Sequence, residues 1–318
     1  MNKIQVGILG GAGYTGGELI RILLNHPHTE IGFVHSKSNV GRLLSDVHTD
    51  LAGETELHFT GEIGSADILF LCVGHGEATL LLKENPGLLD QKLIDLSQDH
   101  RLGKFVYGLP EINRNLVSKS DHVANPGCFA TAIQLALLPM AVNKKLEGEI
   151  HVSATTGSTG AGQSLSTSSH FSWRQNNLSV YKAFKHQHMD EIDQTIHKLM
   201  PGSEHRINFI PLRGSFTRGI FGTAYFDCGM MLEEIAEHYK EYYKPHPFVH
   251  ISSDPIDLKQ VVNTNKCLLH LEKHDKKVLI TFCIDNLLKG ASGQAVQNMN
   301  LMFGLDEAAG LKLKASYF

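Results

Sequence analysis

The sequence predicts an α/β fold: a doubly wound parallel sheet first, then an α+β part with a mixed sheet. Three observations predict it. Short apolar strands alternate with helix-like segments through the first third, the pattern of parallel strands joined by right-handed crossovers. A glycine-rich turn stands between the first strand and the first helix. After Cys128 the alternation gives way to strand-like pieces separated by loops. A length of 318 residues suits two domains with a sizeable core.

Residues 4–9 form a compact β run, and residues 18–24 follow with helical spacing and end near Pro27. Residues 31–34 are a second strand. Residues 68–73 are a continuous apolar run, as expected of a strand covered on both faces, and residues 93–96 are another. Residues 130–138 read as a buried helix stopped near Pro139. Strands follow at 150–153, 207–210, 222–226 and 278–284, and helices at 231–243 and 291–303. The stretch 157–172 is rich in Gly, Ser and Thr and reads as a site loop.

Composition narrows the function. Lys plus Arg is 29 and Asp plus Glu is 33, a balance that argues against nucleic acid or an anionic membrane surface as the main partner. No apolar stretch approaches the ~20 residues of a membrane span. Residues 1–6 lead straight into a strand pattern and are not expected to be a cleaved leader. The five cysteines are odd in number, scattered and without a CxxC, so reduced thiols and a cytoplasmic location are expected.

Gly11-Ala12-Gly13-Tyr14-Thr15-Gly16 follows a strand and opens a helix, and Gly10 adds a second spacing of the same kind. Glycine there lets backbone approach a pyrophosphate whose charge is met by helix N-terminal N–H groups. The sheet is therefore expected to be of the Rossmann type, with Tyr14 and Thr15 beside the cofactor. Many NAD-binding folds hold the ribose 2′-hydroxyl with an acid about 20 residues further on. No acid occurs between Ile31 and Ser45; Ser36-Lys37-Ser38 stand there, with Arg42 close by. Hydroxyls and cations suit a 2′-phosphate, so NADP is expected. Gly74-His75-Gly76, just after an apolar strand, reads as a further cofactor-side loop.

Cys128, in Asn125-Pro126-Gly127-Cys128-Phe129-Ala130-Thr131, stands where a loop turns into a helix. That position favours the thiolate through the helix dipole and free N–H groups. It points to a nucleophile for an activated acyl group, with an oxyanion stabilised by the same N–H groups. Cys72, Cys228, Cys267 and Cys283 read as buried bystanders.

These segments together resemble the N-acetyl-γ-glutamyl-phosphate reductase family, a relative of aspartate-semialdehyde dehydrogenase, along nearly the whole chain. The resemblance is carried by the glycine loop, by Ser45-Asp46-Val47-His48, by residues 94–102 and by Tyr107-Gly108-Leu109-Pro110-Glu111. The cysteine segment and Asp285-Asn286-Leu287-Leu288-Lys289-Gly290-Ala291 complete it. Ala12, His100, Phe129 and Ala130 depart from the usual family residues.

The resemblance implies a nucleotide domain of residues 1–147 and 287–318 interrupted by a catalytic, substrate and oligomerisation domain of residues 148–286. It implies NADPH-dependent reduction of N-acetyl-γ-glutamyl phosphate to N-acetylglutamate 5-semialdehyde through a cysteine thioester, with phosphate released, a step of arginine biosynthesis. It also implies a homodimer or homotetramer, and cofactor contacts from Asn286, Lys289 and Gly290. The segment His186-Gln187-His188-Met189-Asp190-Glu191 is similar to the family's acid/base motif. Two histidines without a third ligand make a poor zinc site, and no metal is expected. His188 is favoured as the acid/base with Glu191 orienting it; His186 is the alternative.

A substrate with a phosphate and a carboxylate calls for arginine forks. Arg213 and Arg218 are the candidates, with Arg101 and Arg114 as weaker ones. Asn125, Ser158, Thr159 and Gly160 are expected at the substrate, and residues 153–163 are expected to offer backbone N–H groups to the phosphate. No residue selects acetyl over succinyl as the N-acyl group. An aspartyl or aminoadipyl phosphate reductase and a noncatalytic NADP sensor are the competing readings.

Overall fold

The computed structural model describes residues 3–318, so Met1 and Asn2 of the leader reading lie outside the described residues. The chain divides into two compact units, Met1–Pro126 with Ala291–Lys312, and Gly127–Gly290 with Leu313–Phe318. Each is described by itself.

The first unit contains β1 (Ile4–Leu9), α1 (Tyr14–Leu24), β2 (Thr29–His35), β3 (Phe59–Thr60), β4 (Ile68–Leu71), α2 (Glu77–Glu84), β5 (Lys92–Asp95), β6 (Val106–Tyr107), α3 (Pro110–Val117) and β7 (His122–Ala124). Its seven strands lie in the order β3-β2-β1-β4-β5-β7-β6, all parallel. All four residues of β4 are buried, which explains the unbroken apolar run. The strand order reverses between β1 and β4, and the loop after β1 opens at that switch, where ligands of such sheets bind.

The second unit contains α4 (Cys128–Val142), β8 (Gly148–Thr156), α5 (Phe171–Arg174), β9 (Ser179–Val180), α6 (His188–Leu199), β10 (His205–Arg213), β11 (Ile220–Asp227), α7 (Leu232–Tyr243), β12 (Val249–Ser252), β13 (Cys267–His274) and β14 (Lys277–Ile284). Its sheet runs β12-β13-β14-β11-β8-β10-β9. β8 with β10 and β12 with β13 are parallel, and the other pairs are antiparallel, so the sheet is mixed. The last helix, α8 (Ser292–Met302), returns to the first unit and packs on α1 and α3.

The compact units divide at 126/127 and 290/291, whereas the sequence reading places domain boundaries at 147 and 286; α4 goes with the second unit because it packs on α6, α7, β11, β13 and β14. Residues 313–318 also join the second unit; the Ser316 N–H donates to the Val262 carbonyl. The helix does not stop at Pro139 but runs through it to Val142. A proline N cannot bond the carbonyl four residues back. The Tyr243 hydroxyl donates to that Leu135 carbonyl instead, and the Tyr239 hydroxyl donates to Ala136 at 2.5 Å. Among the described residues no helix is long and apolar enough to cross a membrane.

Candidate active site

The glycine loop of the first unit is a cradle of backbone. Gly10 has φ +82°, and a Cβ there would stand 2.7 Å from the Cys72 carbonyl oxygen, so only glycine fits. The N–H groups of Gly10 and Gly11 both donate to the His35 carbonyl and tie the loop to the end of β2. At Gly13 a Cβ would meet nothing of the protein closer than 3.9 Å, so no packing demands glycine there. The open side lies at the start of α1, whose first N–H groups have no intrahelical acceptor. A side chain at Gly13 would fill that open side, and a loop left open before helix N–H groups fits the phosphates of a dinucleotide.

His48, for which the sequence suggested only a family likeness, supports this loop: its Nε2 lies 2.8 Å from the Gly11 carbonyl and its ring faces Gly17. Tyr14 is exposed, and the Thr15 carbonyl accepts from Ser292 Oγ at 2.8 Å. Burial pushes the Cys72 thiol up to about 12, so it stays protonated.

After β2 the chain carries hydroxyls, amides and cations. Asn39 Nδ2 donates to Ser36 Oγ at 3.2 Å and to Ser38 Oγ at 3.0 Å, and Arg42 Nη1 donates to Asn39 Oδ1 at 2.9 Å. Lys37 is exposed beside them. The Gly74-His75-Gly76 segment is a helix-entry turn: the Gly74 N–H donates to Glu77, and the Gly76 and Thr79 N–H groups donate to Asp99. These amides are therefore engaged by carboxylates. The Gln98 N–H donates to His75 Nδ1 at 3.2 Å.

In the second unit Cys128 is the first residue of α4, after Gly127 in extended backbone. The buried Glu191 carboxylate accepts the Gly127 N–H at 3.0 Å. His186 Nδ1 accepts the His188 N–H at 3.3 Å, and the two rings are 4.6 Å apart. His186 is walled by Phe129, Tyr181 and Phe209 at 5.4, 5.7 and 5.6 Å between centroids. Arg213 stacks over Tyr181 at 4.6 Å. Burial pushes the Tyr181 hydroxyl up to about 12, with Cys128 adding and Arg213 opposing. Cys128, His186, His188, Glu191 and Arg213 thus form one neighbourhood. Tyr181 belongs to it and was missed, because one aromatic in a loop leaves no motif.

Burial, aided by Lys182 and Arg213, holds the His186 imidazole down at about 4, so it is neutral at pH 7. An unfolded histidine titrates near 6.5, so between about 6.5 and 4 the unfolded chain binds more protons and stability falls as pH falls. Denaturant unfolding from pH 7.5 to 4 will show that acid limb in the wild type and a flatter one in His186→Phe. An equally steep limb in the variant would exclude this assignment.

The other candidates are placed differently. Arg101 is buried and donates to the carbonyls of Asn125 and Leu96 at 2.9 and 3.1 Å, so its fork holds the chain itself. His100 in the same loop pairs with buried Asp95 at 2.6 Å, which raises the histidine. Asn125 is buried with both ends of its amide engaged, by the Ala291 carbonyl and by Asn298 Nδ2. Arg114 pairs with Glu307 at 2.8 Å. Arg218 lies 3.1 Å from buried Asp285.

Asn286 Oδ1 accepts the Gly219 N–H at 2.6 Å and Nδ2 donates to Thr159 Oγ1 at 3.0 Å. Lys289 has no exposed surface and lies 5.9 Å from the Phe248 ring centroid. The expected amide cradle at 153–163 is corrected. The N–H groups of Gly157, Ser158, Thr159, Gly160 and Gly162 all donate to carbonyls at 2.8, 2.9, 3.1 or 3.3 Å. Ser158 is half-buried in this loop, and the Thr156 hydroxyl is buried. Among the described residues no three His, Cys, Asp or Glu side chains gather as a metal site.

Comparison with known proteins adds the following. The family model described as "Semialdehyde dehydrogenase, NAD binding domain" matches residues 5–120, and "Semialdehyde dehydrogenase, dimerisation domain" matches residues 128–286. The N-acetyl-gamma-glutamyl-phosphate reductase of Bacteroides thetaiotaomicron is 56% identical over 321 residues, covering 99% of this chain and 100% of that protein. The protein of the same name from Flavobacterium johnsoniae is 55% identical over 324 residues, with the same coverage. Aspartate semialdehyde dehydrogenase II of Vibrio cholerae, solved with ASA, has a TM-score of 0.76 at 15% identity, covering 96% of this chain and 99% of the other. The Candida albicans aspartate semialdehyde dehydrogenase with NADP has a TM-score of 0.70 at 15% identity, covering 94% and 98%. At that identity the solved structures share the fold.

Proposed function

Because the chain belongs to the N-acetyl-γ-glutamyl-phosphate reductase family, we propose that it reduces N-acetyl-γ-glutamyl phosphate to N-acetylglutamate 5-semialdehyde with release of phosphate, a step of arginine biosynthesis. The observation that carries this reading is Cys128 at the start of α4 with His188 and Arg213 in its neighbourhood. The Cys128 thiolate attacks the γ-carbonyl carbon; the C–S bond forms, the bond to the phosphate oxygen breaks, and phosphate leaves. Bound nicotinamide cofactor supplies a hydride to the resulting thioester carbonyl carbon. The thiohemiacetal then loses its C–S bond, returning Cys128 as thiolate and giving the aldehyde. The N–H groups at the start of α4 steady the oxyanion of each tetrahedral state.

We assign the proton transfers to His188. His186, held neutral, accepts the His188 amide and forms the wall behind it. Arg213 is the fork for a substrate carboxylate, and Ser158 meets the phosphate. The first unit is a dinucleotide-binding domain, and we propose NADP as its ligand, with Ser36, Lys37, Ser38 and Arg42 at the 2′-phosphate. Lys37→Ala is expected to weaken NADPH binding roughly tenfold and to leave NADH binding unchanged. Fluorescence titration checks this; equal weakening of both cofactors would refute it.

We also propose a homodimer built through the second unit, whose sheet carries Ile210, Phe221 and Tyr225 in partial or full exposure. A homotetramer as a pair of such dimers fits equally. Five cysteines with no disulfide among them fit a reducing, cytoplasmic setting. The reverse assay tests the function. NADP reduction with phosphate is expected with N-acetylglutamate semialdehyde and not with aspartate semialdehyde; the opposite preference would overturn the substrate.

A further inference from the structure

A nucleophile at the first residue of a helix is held on one side only by its own helix. Two groups from elsewhere in the second unit meet the Gly127–Cys128 step. One is Glu191, through the Gly127 N–H. The other is Gly290. A Cβ built on Gly290 would stand 2.8 Å from Cys128 Cβ and 2.6 Å from the Asn286 carbonyl oxygen. Both separations are far inside van der Waals contact. Gly290 is not among the glycines of positive φ, so glycine is required here for space and not for conformation.

Gly290 is in turn held by Asp285. The Asp285 side chain has no exposed surface. Its Oδ1 accepts the N–H groups of Leu287 and Leu288 at 2.8 and 3.2 Å, and its backbone carbonyl accepts the Gly290 N–H at 2.9 Å. Its Oδ2 accepts the Asn263 N–H at 2.7 Å and Arg218 Nε at 3.1 Å. One carboxylate therefore closes the 285–290 turn on one side, while a guanidinium balances its buried charge on the other. No step of the reaction uses Asp285, yet its bonds build the turn that ends at the nucleophile.

We propose that Asp285 is a positioning residue for Cys128: it builds the 285–290 turn, whose last residue, Gly290, is the wall that seats the thiol carbon. Gly290 then serves the cysteine and not the cofactor, and Arg218 serves Asp285 and not the substrate. The consequence for turnover rests on Cys128 being the nucleophile, as proposed above; the seating itself does not.

The test is the rate of Cys128 alkylation by iodoacetamide across pH, located by peptide mass, in the full-length wild type, Gly290→Ala and Asp285→Asn. Cofactor titration and melting run alongside. Gly290→Ala is expected to change the alkylation rate at least about tenfold and to lower kcat roughly 100-fold, with cofactor affinity unchanged. Asp285→Asn, which keeps the shape and loses the charge facing Arg218, is expected to move alkylation in the same direction by less. If Gly290→Ala does not fold, Asp285→Asn carries the test. Wild-type alkylation in the folded variants overturns the proposal, and so does weaker cofactor binding with alkylation unchanged. Failure of the nucleophile reading is a separate result: turnover by Cys128→Ser, whatever the alkylation rates show.

Discussion

Cys128→Ser is expected to lower kcat by roughly 10⁵-fold and to leave cofactor binding unchanged. A serine hydroxyl at the start of α4 keeps the size of the side chain, but its pKa is far too high for the helix dipole to ionise it. The helix N-terminus favours a thiolate because a thiol titrates only a unit or two above neutrality. Loss of a nucleophile in a covalent mechanism removes the whole two-step path, so the effect exceeds that of any binding residue. Steady-state cofactor oxidation with the acyl phosphate measures it. Cofactor binding should survive because the glycine loop, His48 and the Ser36–Arg42 segment are all built within the first unit. A variant that keeps a tenth of wild-type turnover would remove the thioester from the mechanism.

His188→Asn is the second large effect. A kcat lower by roughly 10² to 10⁴ is expected, with loss of one limb of the pH–rate profile. The choice of His188 follows from its neighbour. His186 is buried among Phe129, Tyr181 and Phe209 and held down at about 4, so near pH 7 almost none of it is the imidazolium that could act as an acid. Its Nδ1 is engaged by the His188 amide. His186→Asn, which can still accept that amide, should lower kcat less than His188→Asn. The reverse order of effects, with the pH limb lost in the His186 variant, would exchange the two roles.

Particular residues show what could be read in advance. The 4–9 strand, the glycine turn and the following helix were legible because local rules agree there: an apolar run, glycines where backbone must come close, and then helical spacing. Pro139 misled because the hydroxyls that rescue its helix come from Tyr239 and Tyr243, about a hundred residues away in sequence. That α4 goes with the second unit was not legible for a related reason. α4 is buried from Phe129 to Ala141, so it has no polar face to tell which sheet it packs on.

The site follows the same logic. Cys128 was readable because a helix start is a local feature. Arg101, Arg213 and Arg218 look alike in sequence; only the fold gives the first to backbone carbonyls, the last to Asp285, and the second to Tyr181 in the cysteine's neighbourhood. The glycines at 157–162 promised free amides, and carbonyls of residues 216–219 and of the loop itself take them. Asp285 stands inside the 285–291 motif, but a carboxylate that receives backbone N–H groups and one distant guanidinium has no signature of its own.

The central claim is that Cys128 carries the acyl group. Intact-mass and peptide-mass measurement after mixing the protein with the acyl phosphate, without cofactor, tests it most directly. The account predicts a mass gain of one acyl group on the peptide containing Cys128, a matching single equivalent of released phosphate, and neither in Cys128→Ser. Stoichiometric phosphate release with no adduct on that peptide, or an adduct that persists in Cys128→Ser, would contradict it.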